Sequence, residues 1–316
     1  MRVIARAAFS ESLTDHLTPR RLAATLACYE RGPSLSELMG RSPPRATASS
    51  SRATTSLGFY TPLQQARFQL DDAAARFATF TDAQVPNRQR YLAEMAAYAG
   101  YAYTLLAEGM CDMALDYGPK MTGAEVLAIA EKRFTDAIAT TINDASLKNM
   151  ALVGRARARL DLKNLTGAAA DAALVPAGFV RVAEFSESTP ARENRIYNLT
   201  VRNDFLSVGP DYRGLTVNGV ADPRVKVTNL NRNGSDNVTP IWQQQKFTGN
   251  GAVSLPIASY VEAQLILAEA SGGQAALDAI NRVRLVAGVR SAPSPAFRFR
   301  TSKRATIRTS SDRYRE

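Results

Sequence analysis

The chain has 316 residues, 45% of them hydrophobic, with two cysteines, a single histidine and a net charge of +10. That length and apolar content support a sizeable folded core and exclude wholesale disorder. No stretch approaches the ~18 consecutive apolar residues of a spanning helix, and Cys28, Cys111 and His16 are too scattered for a disulfide framework or a metal cluster.

The charge is concentrated at the ends. Residues 1–58 carry eight arginines against four acids, and residues 290–316 carry eight basic residues against two acids. The segment 59–289 holds 23 of each sign and is neutral. A nucleic-acid partner, which a basic chain ordinarily suggests, is therefore not expected, since the body is neutral and the basicity belongs to the ends. Arg20-Arg21, Leu22 to Ala27 and Cys28 imitate a lipoprotein leader, but that apolar run is shorter than the roughly 7–15 residues a signal peptide uses. It reads as coincidence. Residues 40–56 are rich in Pro, Ser, Thr and Arg without periodicity and read as a disordered linker.

From Tyr91 to Asp116 the spacing predicts a long helix closed by Gly118-Pro119. Leu92, Met95, Ala99, Ala102, Leu106, Gly109 and Met113 form one face, and Tyr91, Tyr98, Tyr101 and Leu105 a second. A helix apolar on two sides belongs between neighbours, and Cys111 reads there as a small buried hydrophobe. Thr122 and Glu125 form a capping box opening a helix to about Thr141, with Val126, Ala130, Phe134, Ala137 and Ile138 inward. Helices over about 145–163, with Gly154 allowing close approach, and 166–175 follow as a tetratricopeptide-type hairpin without a strict repeat.

Residues 177–257 change character. β-like runs (179–185, 195–202, 224–227) alternate with turn signals at Asn218-Gly219 and Asn233-Gly234. Long structured excursions from a rigid scaffold commonly carry binding function. Helices return over 259–271 and 274–286, joined by Gly272-Gly273 and expected to pack antiparallel.

Several residues invite a functional reading. No nucleophile elbow, zinc-protease or phosphate-loop motif is present. Glu262 and Glu269 share a helix face and read as scaffold positions. The loop 229–240 has calcium-loop spacing but no carboxylate at the key positions and Pro240 where a Glu is needed, so it reads as a turn-rich surface loop. Lys148, Arg155, Arg159 and Lys163 line up as a solvated basic face. Trp242, the only tryptophan, with Phe247 and Tyr212, either contacts a ligand or packs the loops on the scaffold.

The run Tyr260, Glu262, Ala263, Leu267, Ala268, Glu269, Ala270, then Ala279, Ile280, Asn281, Val283, Arg284 and Gly288 resembles the signature of the SusD/RagB family. Gly100 to Pro119, Val153 to Val180 and Asp222-Pro223-Arg224 resemble its early helix, its tetratricopeptide hairpin and its D-P-R turn, in the same order. The resemblance covers about 59–289. It implies a mainly α fold, a tetratricopeptide-like scaffold with a loop- and short-strand-rich insertion, in which Tyr260, Glu262, Glu269, Asn281 and Arg284 are structural. It also implies a non-enzymatic, lipid-anchored outer-membrane protein without cofactors or metals. Such a protein binds a glycan or peptide nutrient and passes it to a TonB-dependent transporter. The chain departs from the family pattern at both ends, where neither a lipoprotein leader nor the family's Glu-Arg-Arg helix is found. We read those ends as decayed or out of frame, dividing the chain into 1–58, 59–289 and 290–316. A tetratricopeptide-like intracellular interaction scaffold is the alternative reading.

Overall fold

The structure is a computed structural model that describes residues 60–140, 144–217, 219–222 and 225–286. His16, Cys28, the 40–56 stretch, Pro223, Arg224 and the basic tail lie outside the described residues.

Five helices come first: α1 (Tyr60–Ala78), α2 (Arg88–Gly109), α3 (Gly123–Ala139), α4 (Ala145–Asp161) and α5 (Leu165–Ala173), each packed on the next. A hairpin of β1 (Asp112–Ala114) and β2 (Lys120–Thr122) joins α2 to α3. The chain returns through β8 (Leu255–Ser259) into α7 (Tyr260–Ser271) and α8 (Gly273–Val286), and α7 packs on α4 and α5.

The central helix is α2. Every residue from Ala97 to Leu106 is buried, as expected of a helix apolar on two sides. It is shorter than the sequence pattern implies: it stops at Gly109, and the last apolar positions are used as strand residues. Met113 stays buried there, whereas Cys111 is exposed, which corrects its reading as a core residue. Cys111 lies in the bend between α2 and β1, outside both elements.

Helix α3 starts at the expected capping box, with Thr122 N donating to Glu125 Oε2 at 2.7 Å and Glu125 N donating back to Thr122 Oγ1. Its Phe134 is fully buried and stands edge-on to Tyr101 of α2, centroids 5.1 Å apart. The ring lies against two glycines. A Cβ on Gly100 would come within 2.7 Å of it, and one on Gly154 of α4 nearer still. Tyr101 completes the joint by donating from its hydroxyl to the Met150 carbonyl at 2.9 Å. Three helices thus close around one aromatic side chain.

The arginines of α4 are not the solvated stripe the spacing suggests. Arg155 grips Asp171 of α5 with Nε at 2.8 Å and Nη2 at 2.7 Å, and Arg159 bridges Asp171 and Glu131 of α3. The Asp171 side chain is only 4% exposed, and these donors satisfy its buried oxygens. Lys148 and Lys163 are exposed. On the other side of α4, Arg157 forms a two-pronged pair with Glu108 of α2, both contacts 2.6 Å, and reaches Glu262 of α7 at 3.4 Å. Burial, then the neighbouring carboxyls of Asp161 and Glu262, push the Glu108 carboxyl well above the usual carboxylate range.

Between α5 and α7 the chain makes one long excursion. Strand β3 (Val180–Ala183) leaves directly after α5 and pairs antiparallel with β8, so exit and return are clasped together. Tyr260 N donating to the Phe179 carbonyl at 2.8 Å ties the same point to the start of α7. Clasping the ends carries the loop-closure entropy for everything between them.

Inside the excursion lie α6 (Arg195–Tyr197), continuing as a π-helical turn (Asn198–Arg202), then β4 (Thr216–Val217) with β5 (Val220–Ala221), and β6 (Val227–Asn233) with β7 (Pro240–Gln244). The run 195–202, expected to be β-like, is helical. Asn194 sets this by accepting from the Ile196 and Tyr197 backbone N–H groups. The two turn signals do mark hairpins: Gly219 has φ +79° between β4 and β5, and β6 and β7 flank Gly234. The 229–240 segment is accordingly a β-hairpin rather than an irregular loop.

We predict that Gly154→Ala, which drives a methyl group into a ring with no room to yield, destabilises by about 1–3 kcal/mol or prevents folding. Chemical denaturation measures it, and the Phe134→Leu background should tolerate the alanine better. A second prediction concerns alkali. Tyr103 donates to Asp71 Oδ2 at 2.5 Å, and burial with this bond pushes its hydroxyl up to about 12. The tyrosine therefore stabilises fully below the unfolded value of ~10, and that contribution is lost as pH rises through about 12. Unfolding of wild type and Tyr103→Phe should differ by a constant amount up to about pH 10 and converge above it.

Candidate ligand-binding surface

The excursion carries its own small core. Ile196, Phe247 and Leu255 are buried together, with Val253 and Phe185 against them. Phe185 also packs on the main core, and Leu255 belongs to β8, so this satellite core is continuous with the clasp.

A polar frame holds the surrounding loops. Asn194 is fully buried; besides capping α6 it donates from Nδ2 to the Val253 carbonyl at 2.7 Å, and its backbone N–H donates to Gly251 O at 2.7 Å. Glu193 accepts from Asn198 Nδ2 at 2.9 Å and from Arg202, and these bonds hold its carboxyl below the usual carboxylate range. Arg202 also lies over the Tyr197 ring, 5.4 Å from its centroid.

On this base stands the β6–β7 hairpin. Its turn is closed by Asp236, which accepts from the Val238 and Thr239 backbone N–H groups and from the Thr239 hydroxyl, bonds that lower its pKa. Arg232 pairs with Asp204, and Ser235 N donates to Asp204 O, fastening the hairpin to the segment after the π-helical turn.

Trp242 lies in β7, directly opposite Asn229, and is half-buried. The segment 207–213 runs along its strand. Trp242 N donates to Ser207 Oγ at 3.0 Å, and Val208 N donates to the Trp242 carbonyl at 2.8 Å. A 3-10 turn (Pro210–Tyr212) then returns the chain, placing the Arg213 guanidinium over the indole, 5.0 Å from the ring centroid. Arg213 Nε donates to Val208 O at 2.8 Å, which holds the side chain in that pose. The result is an aromatic–guanidinium platform, with the half-buried Tyr212 beside Arg213 in the chain and Asn229 directly across the hairpin from Trp242.

The expected site residues thus separate. Trp242 and Tyr212 belong to the platform region. Phe247 does not: it is buried in the satellite core, with Gln244 Oε1 accepting from its backbone N–H at 2.8 Å. Glu262 is ion-paired in the scaffold, Glu269 and Asn281 are exposed on α7 and α8, and Tyr260 and Arg284 are partly buried. Arg213 was not legible as a site residue, because the turn that carries it over Trp242 is a tertiary feature. Asp222 is buried, its N–H donating to Leu215 O at 2.8 Å. Among the described residues no group of three or more His, Cys, Asp or Glu side chains could hold a metal ion, and no helix is long and apolar enough to cross a membrane.

A helical-repeat scaffold from which one clasped, loop-rich excursion projects defines the class of this protein. That architecture is SusD-like: the chain is similar to the crystal structure of a SusD-like carbohydrate binding protein from Bacteroides vulgatus, with a TM-score of 0.53 and 17% sequence identity, over 80% of this chain and 67% of that one. No family model and no curated protein matches the chain.

Asn194 makes a sharp test of the frame. Asn194→Ala removes one acceptor for two N–H groups and one donor, leaving buried groups unpaired at about 1–3 kcal/mol. Hydrogen exchange should accelerate at Ile196, Tyr197 and the residues around Val253, while α2 to α4 keep their protection.

Proposed function

We propose that the protein is a non-catalytic glycan-binding protein that captures its ligand on the Trp242–Arg213 platform. The observation that carries this reading is the platform itself: a half-buried tryptophan with a guanidinium 5.0 Å from its ring centroid and Asn229 directly across the strand, on the projecting part of a SusD-like fold. Sugar rings present flat C–H faces that pack on an indole, and their hydroxyls exchange hydrogen bonds with amides. Trp242 is the site residue; Tyr212 flanks it; Phe247 serves by holding the loops in place. The carbohydrate-binding neighbour supports the ligand class.

Binding without bond cleavage is favoured by three acidic groups of the excursion that already have structural roles. Glu193, Asp204 and Asp236 are held by Arg202, Arg232 and Thr239 respectively. Within the same reading, the protein works at the cell outer membrane, lipid-anchored, and hands its glycan to a TonB-dependent transporter.

The sole tryptophan is also a built-in reporter. Titration with a panel of neutral and acidic oligosaccharides should change Trp242 fluorescence, and Trp242→Ala should weaken binding, followed calorimetrically, by about tenfold or more. A panel without a single binder, or unaltered affinity in Trp242→Ala, defeats the proposal.

A further inference from the structure

We infer that the glycan is acidic, with a uronic-acid carboxylate docking on the Nη edge of Arg213; this rests on the glycan-binding reading above. A guanidinium has a face and an edge, and the two can be used at once. Arg213 gives its face to Trp242 and its Nε–H to the Val208 carbonyl. Its backbone N–H is fastened to Pro210 O at 3.1 Å, so the residue is pinned at both ends.

What remains is the pair of Nη nitrogens, which have no hydrogen-bond or ion-pair partner among the described residues. Arg202 and Arg232 of the same excursion are each matched to a carboxylate, whereas Arg213 is not. Asp211, exposed on the same turn, forms no ion pair with Arg213. A half-buried guanidinium, already immobilised and with its fork unoccupied, loses little side-chain entropy when a ligand arrives. The partner that fits a planar two-donor fork is a carboxylate, which accepts both bonds in plane.

The rest of the platform suits the same ligand. The Trp242 indole N–H has no partner among the described residues, and Asn229, directly across the strand, keeps its side-chain N–H donors available while its Oδ1 accepts from Asn231 N at 2.9 Å. A pyranose seated on the indole with its carboxylate toward Arg213 would offer hydroxyl acceptors to both. A neutral sugar would leave the fork unused.

Affinity electrophoresis of the full chain tests this, in gels containing polygalacturonate, alginate or hyaluronan, each beside its carboxyl-reduced counterpart, and in gels of neutral polysaccharides. Retardation is expected in at least one acidic gel and not in its reduced counterpart. Arg213→Gln should cut that affinity about tenfold, and Arg213→Lys, which keeps the charge and lacks the fork, should recover only part of it. Thermal unfolding checks that each variant is folded; if Arg213→Gln is not, the lysine variant carries the comparison. Equal retention with and without carboxyl groups, or unchanged retention in the folded arginine variants, overturns the inference. Binding confined to neutral gels overturns it and leaves glycan binding standing, whereas binding in no gel removes both.

Discussion

The structure depends on the seating of Phe134 between Gly100 and Gly154. With no side chain on either glycine, α2 and α4 approach α3 closely enough to close on one ring, and Tyr101 completes the contact from the edge and through its hydroxyl. Interiors are packed to crystal-like density, so a joint of this kind fixes helix spacing and orientation together. Everything later in the chain uses those positions. Glu108 and Arg157 face each other because α2 and α4 are held at that distance, and Arg157 then reaches Glu262 to dock α7.

The two arginine networks on α4 have different consequences. Arg155 and Arg159 both donate to Asp171, so α5 is fixed through one side chain with several charged donors. Around Arg157 lie the carboxyls of Glu108 and Glu262, and burial together with the neighbouring Asp161 and Glu262 carboxyls raises the Glu108 pKa. Buried ion pairs contribute less to net stability than to a unique arrangement, since unpairing any member is costly. Here they specify which helix faces which.

The clasp of β3 with β8 separates the scaffold from the excursion that carries the proposed binding surface. Residues that leave the helical stack at Ala183 return at Leu255, and the satellite core around Ile196 and Phe247 gives the loops a rigidity short strands alone lack. The Trp242–Arg213 platform is therefore held by an apolar core beneath, hydrogen bonds along β7 and the pinned side chain of Arg213. For the proposed ligand, groups already held in place would lower the ordering cost of binding.

Much of this was legible in the chain itself. The two-faced apolar pattern of α2, the capping box at Thr122 and Glu125, the glycine at 154 and the turn glycines at 219 and 234 are local signals, and each produced the element it announced. The SusD-like fold was legible from ordered motifs. Other features were decided only by the tertiary structure, because they bring together residues remote in sequence. The arginine stripe of α4 became ion pairs once Asp171 and Glu131 stood opposite it. Cys111 reached the surface because the helix ends before it, and residues 195–202 turned helical because Asn194 caps them. Trp242 stood out by composition, but the arginine that completes its site lies 29 positions earlier. Periodicity reports which side of an element meets the core; only the folded chain determines which side chains meet each other.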